Sequence, residues 1–240
     1  MSPDDYAISH HSNAHALVHA DEALAQHLPF SGLSDQQRTD ILDQATVKRI
    51  SLNDTCFSEG DEARNFYVLL DGALKIYRST DDGEQVVIIH ISPGQMFGIA
   101  RAYADDTYQM TANAVCDGLA LSWSSENWDR FMRDYPEFER AARKAIGERR
   151  DEMSDKIVDM ATLQVEQRIA KAILRLTKRY GKTVEGGIEI GFPITRQDIS
   201  EMTGTTLHSV SRYMSKWQKA GIVRSSRRRV IVERPEALPI

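Results

Sequence analysis

The spacing of apolar and polar positions changes character three times along the 240 residues, and each change marks a boundary between kinds of structure. Residues 1–20 carry few large apolar side chains, so residues 1–26 are expected to form a flexible arm. HLPFSGLSDQQRTDILDQA follows as a short helical lead-in. Ser34 suits an N-cap with Gln37 three residues on, and Ile41 and Leu42 supply an apolar face. From about Val47 to Trp123 the pattern becomes that of strands. The runs VKRISL, CFSEGD, NFYVLLDGALKIYRS, EQVVIIHISPGQMFG and MTANAVCDGLALSWS are parted by turn signals at Gly60, Asp71-Gly72, Asp82-Gly83, Pro93-Gly94 and Asp117-Gly118. Many short strands at this spacing predict an antiparallel sandwich or barrel.

After Trp123 the pattern turns helical. SSENWDRFMRDYP is a short helix stopped before Pro136, and Glu137 to about Thr162 is a long uninterrupted one. Within the long helix Ile146, Arg150, Met153, Ile157 and Met160 recur in steps of four and three, a heptad-like seam with one basic intrusion. A long helix between two domains with such a seam predicts a parallel dimer. Arg150 is then expected to leave the seam or to pair with Glu148, Asp151 or Glu152 across it, because an unpartnered charge there is costly. Leu163 to Tyr180 continues helical with Ile169, Ile173 and Leu176 on one face; 181–187 reads as a loop, and IEIGFPI as a short strand pair.

Residues 194–221 have the layout of a helix-turn-helix. The first helix is predicted from Thr195, its cap, to Met202, with Asp198 supporting the start. Gly204 gives the turn its backbone freedom. The second helix starts at Thr205 or Thr206 and buries Val210, Met214 and Trp217. That stripe leaves Thr206, His208, Ser209, Ser211, Arg212 and Lys216 outward, near enough to the helix start to meet base edges and phosphates. Arg212 suits guanine through two parallel hydrogen bonds to O6 and N7, and His208, one turn earlier, can donate to a purine or a phosphate. Arg196 opens the first helix as a further contact. The Val223–Val232 segment predicts a wing whose tip holds Arg224, Arg227, Arg228 and Arg229, suited to the DNA backbone and to salt-dependent binding.

Charge sharpens this division. The net charge is -5, but residues 163–240 hold 15 Lys and Arg against 7 Asp and Glu, net +8, while the first 162 hold 15 against 28, net -13. The basic part is a candidate for a polyanion. No apolar run reaches membrane-spanning length and the N-terminus lacks a signal-peptide pattern, so no membrane partner is expected and a cytoplasmic protein is. Cys56 and Cys116, in strand-like apolar contexts, form neither a disulfide framework nor a metal-binding pair. No GxSxG, HExxH, P-loop or paired histidine–nucleophile spacing occurs, so no enzyme is expected.

The order of parts resembles the CRP/FNR superfamily of bacterial transcription regulators from about His27 to Val232. FYVLLDGALKIYR, SPGQMFG, VEQRIAKAILRL and ITRQDISEMTGTTLHSVSRYMSKWQKAGIV carry the likeness. The resemblance implies an α+β chain: an antiparallel β-roll sensor of the cyclic-nucleotide-binding type over 27–135, a dimerisation helix over 136–162 and a winged helix-turn-helix over 163–240. It implies a homodimer on a two-fold symmetric double-stranded DNA site, and an activator that contacts RNA polymerase. The family's base-reading positions fall on Leu207, His208 and Arg212, with Ser211 a further contact in the FNR branch. Arg212 matches; His208 replaces the usual glutamate, which implies a different half-site.

The resemblance also bears on the signal. In the cyclic-nucleotide branch a Gly-Glu pair and an Arg-Ser pair hold ribose and phosphate. Here Gly98 is kept, but Ile99 stands for the glutamate and Met110 for the arginine, so cyclic AMP is not expected. An FNR-type iron–sulfur cluster needs cysteines near the N-terminus, and none precedes Cys56. TGTTLHSVSR looks most like the NnrR group, which with DNR-like regulators responds to nitric oxide and controls denitrification genes. That likeness implies a haem, with His27, His15 and His90 the leading ligand candidates beside His10, His11 and His19. Alternatives are the same regulator with no cofactor or another small effector, a thiol switch at Cys56 or Cys116, and a ligand or haem carrier.

Overall fold

The computed structural model describes Phe30 and residues 32–240, so the expected arm over 1–26 and the histidines at 10, 11, 15, 19 and 27 lie outside the described residues. Two compact units result. One joins the chain up to Leu74 to Ile91–Arg150; the other joins Lys75–His90 to Asp151–Ile240.

The first unit opens with α1 (Asp35–Leu42), whose Ser34 cap and Gln37 side chain form the reciprocal pair expected from sequence. The strands that follow along the chain are β1 (Thr46–Ile50), β2 (Thr55–Phe57), β3 (Asn65–Asp71), β4 (Leu74–Ser79), β5 (Gln85–Ile91), β6 (Met96–Phe97), β7 (Thr111–Ala114) and β8 (Gly118–Ser124), of which β4 and β5 fall almost wholly in the second unit. They make two four-stranded sheets, ordered β1-β8-β3-β6 and β2-β7-β4-β5. The pairings β1–β8, β3–β8, β3–β6 and β2–β7 are antiparallel, as the turn spacing predicts. Then come α2 (Glu126–Asp134) and α3 (Pro136–Thr162). The core gathers Phe30, Phe66, Trp123, Trp128, Phe131 and Phe138, and the Trp123 indole donates to the Ile41 carbonyl at 2.8 Å, so its polar edge is satisfied inside the core. A second aromatic set joins strands of both sheets: Phe57 of β2 lies 6.0 Å from Tyr67 of β3, and Tyr67 4.8 Å from Phe97 of β6, centroid to centroid.

In the second unit α3 gives way to α4 (Val165–Tyr180). The helix is not continuous there: Gln164 is extended, and its pairing with Gln167 starts a new helix. Helix α4 buries Ile169, Ile173 and Leu176. The sequence reading of 181–187 needs correction, because β9 (Gly181–Val184) pairs antiparallel with β10 (Gly187–Ile190). Thr183-Val184 and Gly186-Gly187 are the β-branched and turn signals of a hairpin. Of IEIGFPI only the first half is a strand. After α5 (Arg196–Thr203) and α6 (Leu207–Lys219), β11 (Val223–Ser226) and β12 (Arg229–Val232) complete a sheet ordered β11-β12-β10-β9.

Along α3, Ile146 is partly buried and packs against its own unit's core. Met153, Ile157 and Met160 are 44 %, 68 % and 48 % exposed, with Val158 beside them at 55 %. Arg150 is exposed.

Candidate nucleic-acid interface

Two capped helices build the site. Thr195 accepts from the Asp198 amide at 3.1 Å while Asp198 accepts from the Thr195 amide at 2.8 Å, a closed capping box for α5. At the turn Gly204 takes φ +55°, and its amide donates to the Ser200 carbonyl. A Cβ there would stand 2.7 Å from the Met160 methyl. Thr206 then caps α6 by accepting from the Ser209 amide at 3.2 Å.

Helix α6 is divided lengthwise. Val210, Met214 and Trp217 are at most 2 % exposed. Thr206, Leu207, His208, Arg212 and Lys216 are exposed, and Ser209 and Ser211 half-buried between them. Leu207 is 46 % exposed at the first helical position, an apolar group that can touch a thymine methyl. The Arg212 guanidinium lies 4.7 Å from the Tyr213 ring centroid and donates to the Tyr213 hydroxyl at 2.9 Å, which restricts the side chain before any ligand arrives. Lys216 bonds Glu166 at 2.9 Å, and the same carboxylate oxygen accepts from the Trp217 indole at 3.3 Å. Thr206 and Ser209 are partly used up, since their hydroxyls bond each other at 3.1 Å. Arg196 is half-buried at the start of α5.

The wing is less uniformly basic than its sequence. Arg229 forms a two-pronged pair with Glu189 at 2.6 Å per arm, and the guanidinium holds that carboxyl below its usual range. Arg224 pairs with Glu233 at 3.3 Å. Arg227 and Arg228, at the turn between β11 and β12, are exposed. Tyr213, Glu166 and Glu189 were not expected from sequence. Tyr213 adjoins Arg212 and offered a local signal, whereas Glu166 and Glu189 reach the site through the fold alone.

An exposed recognition face on a capped two-helix unit with a basic turn beside it defines a DNA-binding regulator of the winged helix-turn-helix kind. Residues 167–239 match the Crp-like helix-turn-helix domain family, and residues 47–135 match the cyclic nucleotide-binding domain family. The chain belongs to the CRP/FNR family of transcription regulators. It is 22 % identical over 218 residues to the CRP-like cAMP-activated global transcriptional regulator of Mycobacterium tuberculosis, covering 91 % of this chain and 97 % of that protein. It is 22 % identical over 241 residues to the fumarate and nitrate reduction regulatory protein of Escherichia coli K12, covering 99 % and 96 %. Among solved structures, FixK2 from Bradyrhizobium japonicum matches with a TM-score of 0.72 at 21 % identity, covering 82 % of this chain and 98 % of that one. These relatives are transcriptional regulators and not enzymes.

In the cyclic-nucleotide-binding-type domain, Ile99 is 5 % exposed and belongs to the hydrophobic core, and Met110 is half-buried. Arg101 on the 3₁₀ turn Ala100–Tyr103 bonds Asp106 at 2.8 Å. Burial pushes the Cys56 thiol up to about 11, which keeps it protonated and slow to react. His90 is 2 % exposed, and neither ring nitrogen has a hydrogen-bond partner. Its ring stacks on Phe192 at 4.8 Å. Among the described residues no group of three or more His, Cys, Asp or Glu could hold a metal ion, and no helix is long and apolar enough to cross a membrane.

Proposed function

We propose that the chain acts as a homodimer on a two-fold symmetric operator, with one α6 per half-site, and activates transcription by contact with RNA polymerase. The supporting observation is the division of α6: His208 and Arg212 are exposed above a stripe of Val210, Met214 and Trp217 that is buried almost completely. In this reading Arg212 reads guanine, Leu207 meets a thymine methyl, His208 donates to a purine acceptor, and Arg227 and Arg228 meet phosphates. Footprinting on genomic fragments finds the operator. On it, Arg212→Ala is expected to lose about 1–3 kcal/mol of discrimination at one base pair, with non-specific binding retained. His208→Glu is expected to change the preferred base at one position. Undiminished discrimination in Arg212→Ala would sink the assignment.

Cyclic AMP does not fit as the signal. A core isoleucine and a methionine stand where the nucleotide's polar partners belong, and Arg101 already serves Asp106. Nitric oxide sensed through haem, with control of nitrogen-oxide genes, is supported by the likeness of the recognition segment to the NnrR group. His90 suits a haem poorly: its ring is 2 % exposed and Phe192 covers one ring face. In this reading the haem ligand comes from the histidines of the first 27 residues, with His27 and His15 ahead of His10, His11 and His19. Absorbance after haem reconstitution tests this: a Soret band lost in His27→Ala or His15→Ala and kept in His90→Ala is expected, and no Soret shift in the wild type overturns haem binding.

A further inference from the structure

We infer that the second unit contains a binding site for a small oxyanion, walled by β5, the end of α3, α4 and the end of α5, with Arg175 and His90 as its recognition groups. The cavity is lined by His90 of β5, by Lys156 and Asp159 of α3, by Arg168, Arg175 and Tyr180 of α4, and by Thr203 of α5, among others. The cavity is small, about 40 Å³. Three buried polar atoms around it lack a partner among the described residues: both ring nitrogens of His90 and Nη1 of Arg175. A buried guanidinium N–H or imidazole left unbonded costs on the order of 1–3 kcal/mol, so an acceptor belongs there.

The surrounding charges say what kind of acceptor. Lys156, Arg168, Arg175 and Arg179 line the cavity against two carboxylates, Glu152 and Asp159. Both carboxylates are engaged, Glu152 with Arg179 and Asp159 with Arg175 and Lys171. The Lys156 ammonium bonds the Val87 and Ile88 carbonyls at 2.8 Å each. Burial lowers its pKa to about 8, so the added positive charge is itself poorly solvated. An oxyanion accepting from Arg175 Nη1 and from the N–H of the His90 ring satisfies the two donors among these three atoms and offsets the cationic excess. Arg168 ties the cavity to the helix-turn-helix by donating to the Thr203 carbonyl at 3.2 Å. Occupancy therefore bears on α5 and on the stretch of α3 that carries the exposed apolar stripe. That coupling rests on the regulator reading above; the binding does not.

Sodium acetate, sodium nitrate and inorganic phosphate, titrated into the full chain at fixed ionic strength, test the site. At least one is expected to raise the melting temperature saturably and to move the ring ¹⁵N signal that disappears in His90→Phe. His90→Phe keeps every ion pair and the contact with Phe192, so its fold should survive. It and Arg175→Gln should each weaken binding at least about tenfold, the loss of one charge-assisted hydrogen bond. If no anion saturates, or His90→Phe binds as the wild type does, the site is overturned. DNA affinity measured with and without the effective anion is expected to change; equal affinity removes the coupling, and binding of the anion by a protein that never binds DNA removes the regulator reading while the site stands.

Discussion

The imidazole of His90 is 2 % exposed, and its burial holds the pKa down to about 4 from 6.5, with nearby Lys156 and Lys75 acting in the same direction and Asp198 against them. Between those values the unfolded chain takes up a proton that the folded chain refuses. Stability is thus fully present above pH 6.5 and falls as the pH drops toward 4, by up to about 3 kcal/mol. His90→Phe removes this titration, so denaturant midpoints recorded from pH 7 to pH 4.5 should fall less steeply in the variant; parallel acid limbs would contradict it. The same residue shows a limit of reading a sequence. VVIIH placed His90 at the end of a strand run, but nothing local indicated that Phe192 and Tyr180, from far along the chain, would enclose it.

At the scale of elements, what was legible was local. The caps at Ser34 and Thr195, the glycine turn and the buried stripe of α6 each depend on residues within a few positions, and each forms as its pattern predicts. Strand β9 was not legible, because Gly181, Lys182 and Thr183 are all exposed and give no alternation. The wing's charge was overestimated, since Glu189 and Glu233 are brought to it by the sheet. Two predictions follow from this geometry. Gly204→Ala puts a side chain at φ +55° against Met160 and should cost about 1–2 kcal/mol in denaturant melts, while Gly204→Asn should cost less. The double change Arg227→Ala with Arg228→Ala removes four cations per proposed dimer. The slope of log affinity against log salt should then shrink by about 3 to 4, with base discrimination kept. An unchanged slope would remove the wing from the DNA.

At the scale of the whole molecule, the proposed dimer depends on α3. Met153, Ile157, Val158 and Met160 leave a stripe of apolar side chains between 44 % and 68 % exposed along its second half, whereas Ile146 is taken up by the core of its own unit. Burying one such side chain is worth about 1.5–3 kcal/mol, and a two-fold seam counts each residue twice. Ile157 is the most exposed of the four, so Ile157→Glu should leave the fold of the single chain intact while placing two carboxylates face to face in the pair. Sedimentation equilibrium is expected to show monomers at concentrations where the wild type is dimeric. Linking two half-site readers multiplies affinity by about 10²–10⁴, so the variant should lose that factor on a full operator and nothing on an isolated half-site. A variant that remains dimeric would move the interface off this stripe. One that becomes monomeric yet binds the full operator as before would show that the two recognition helices are joined by something other than α3.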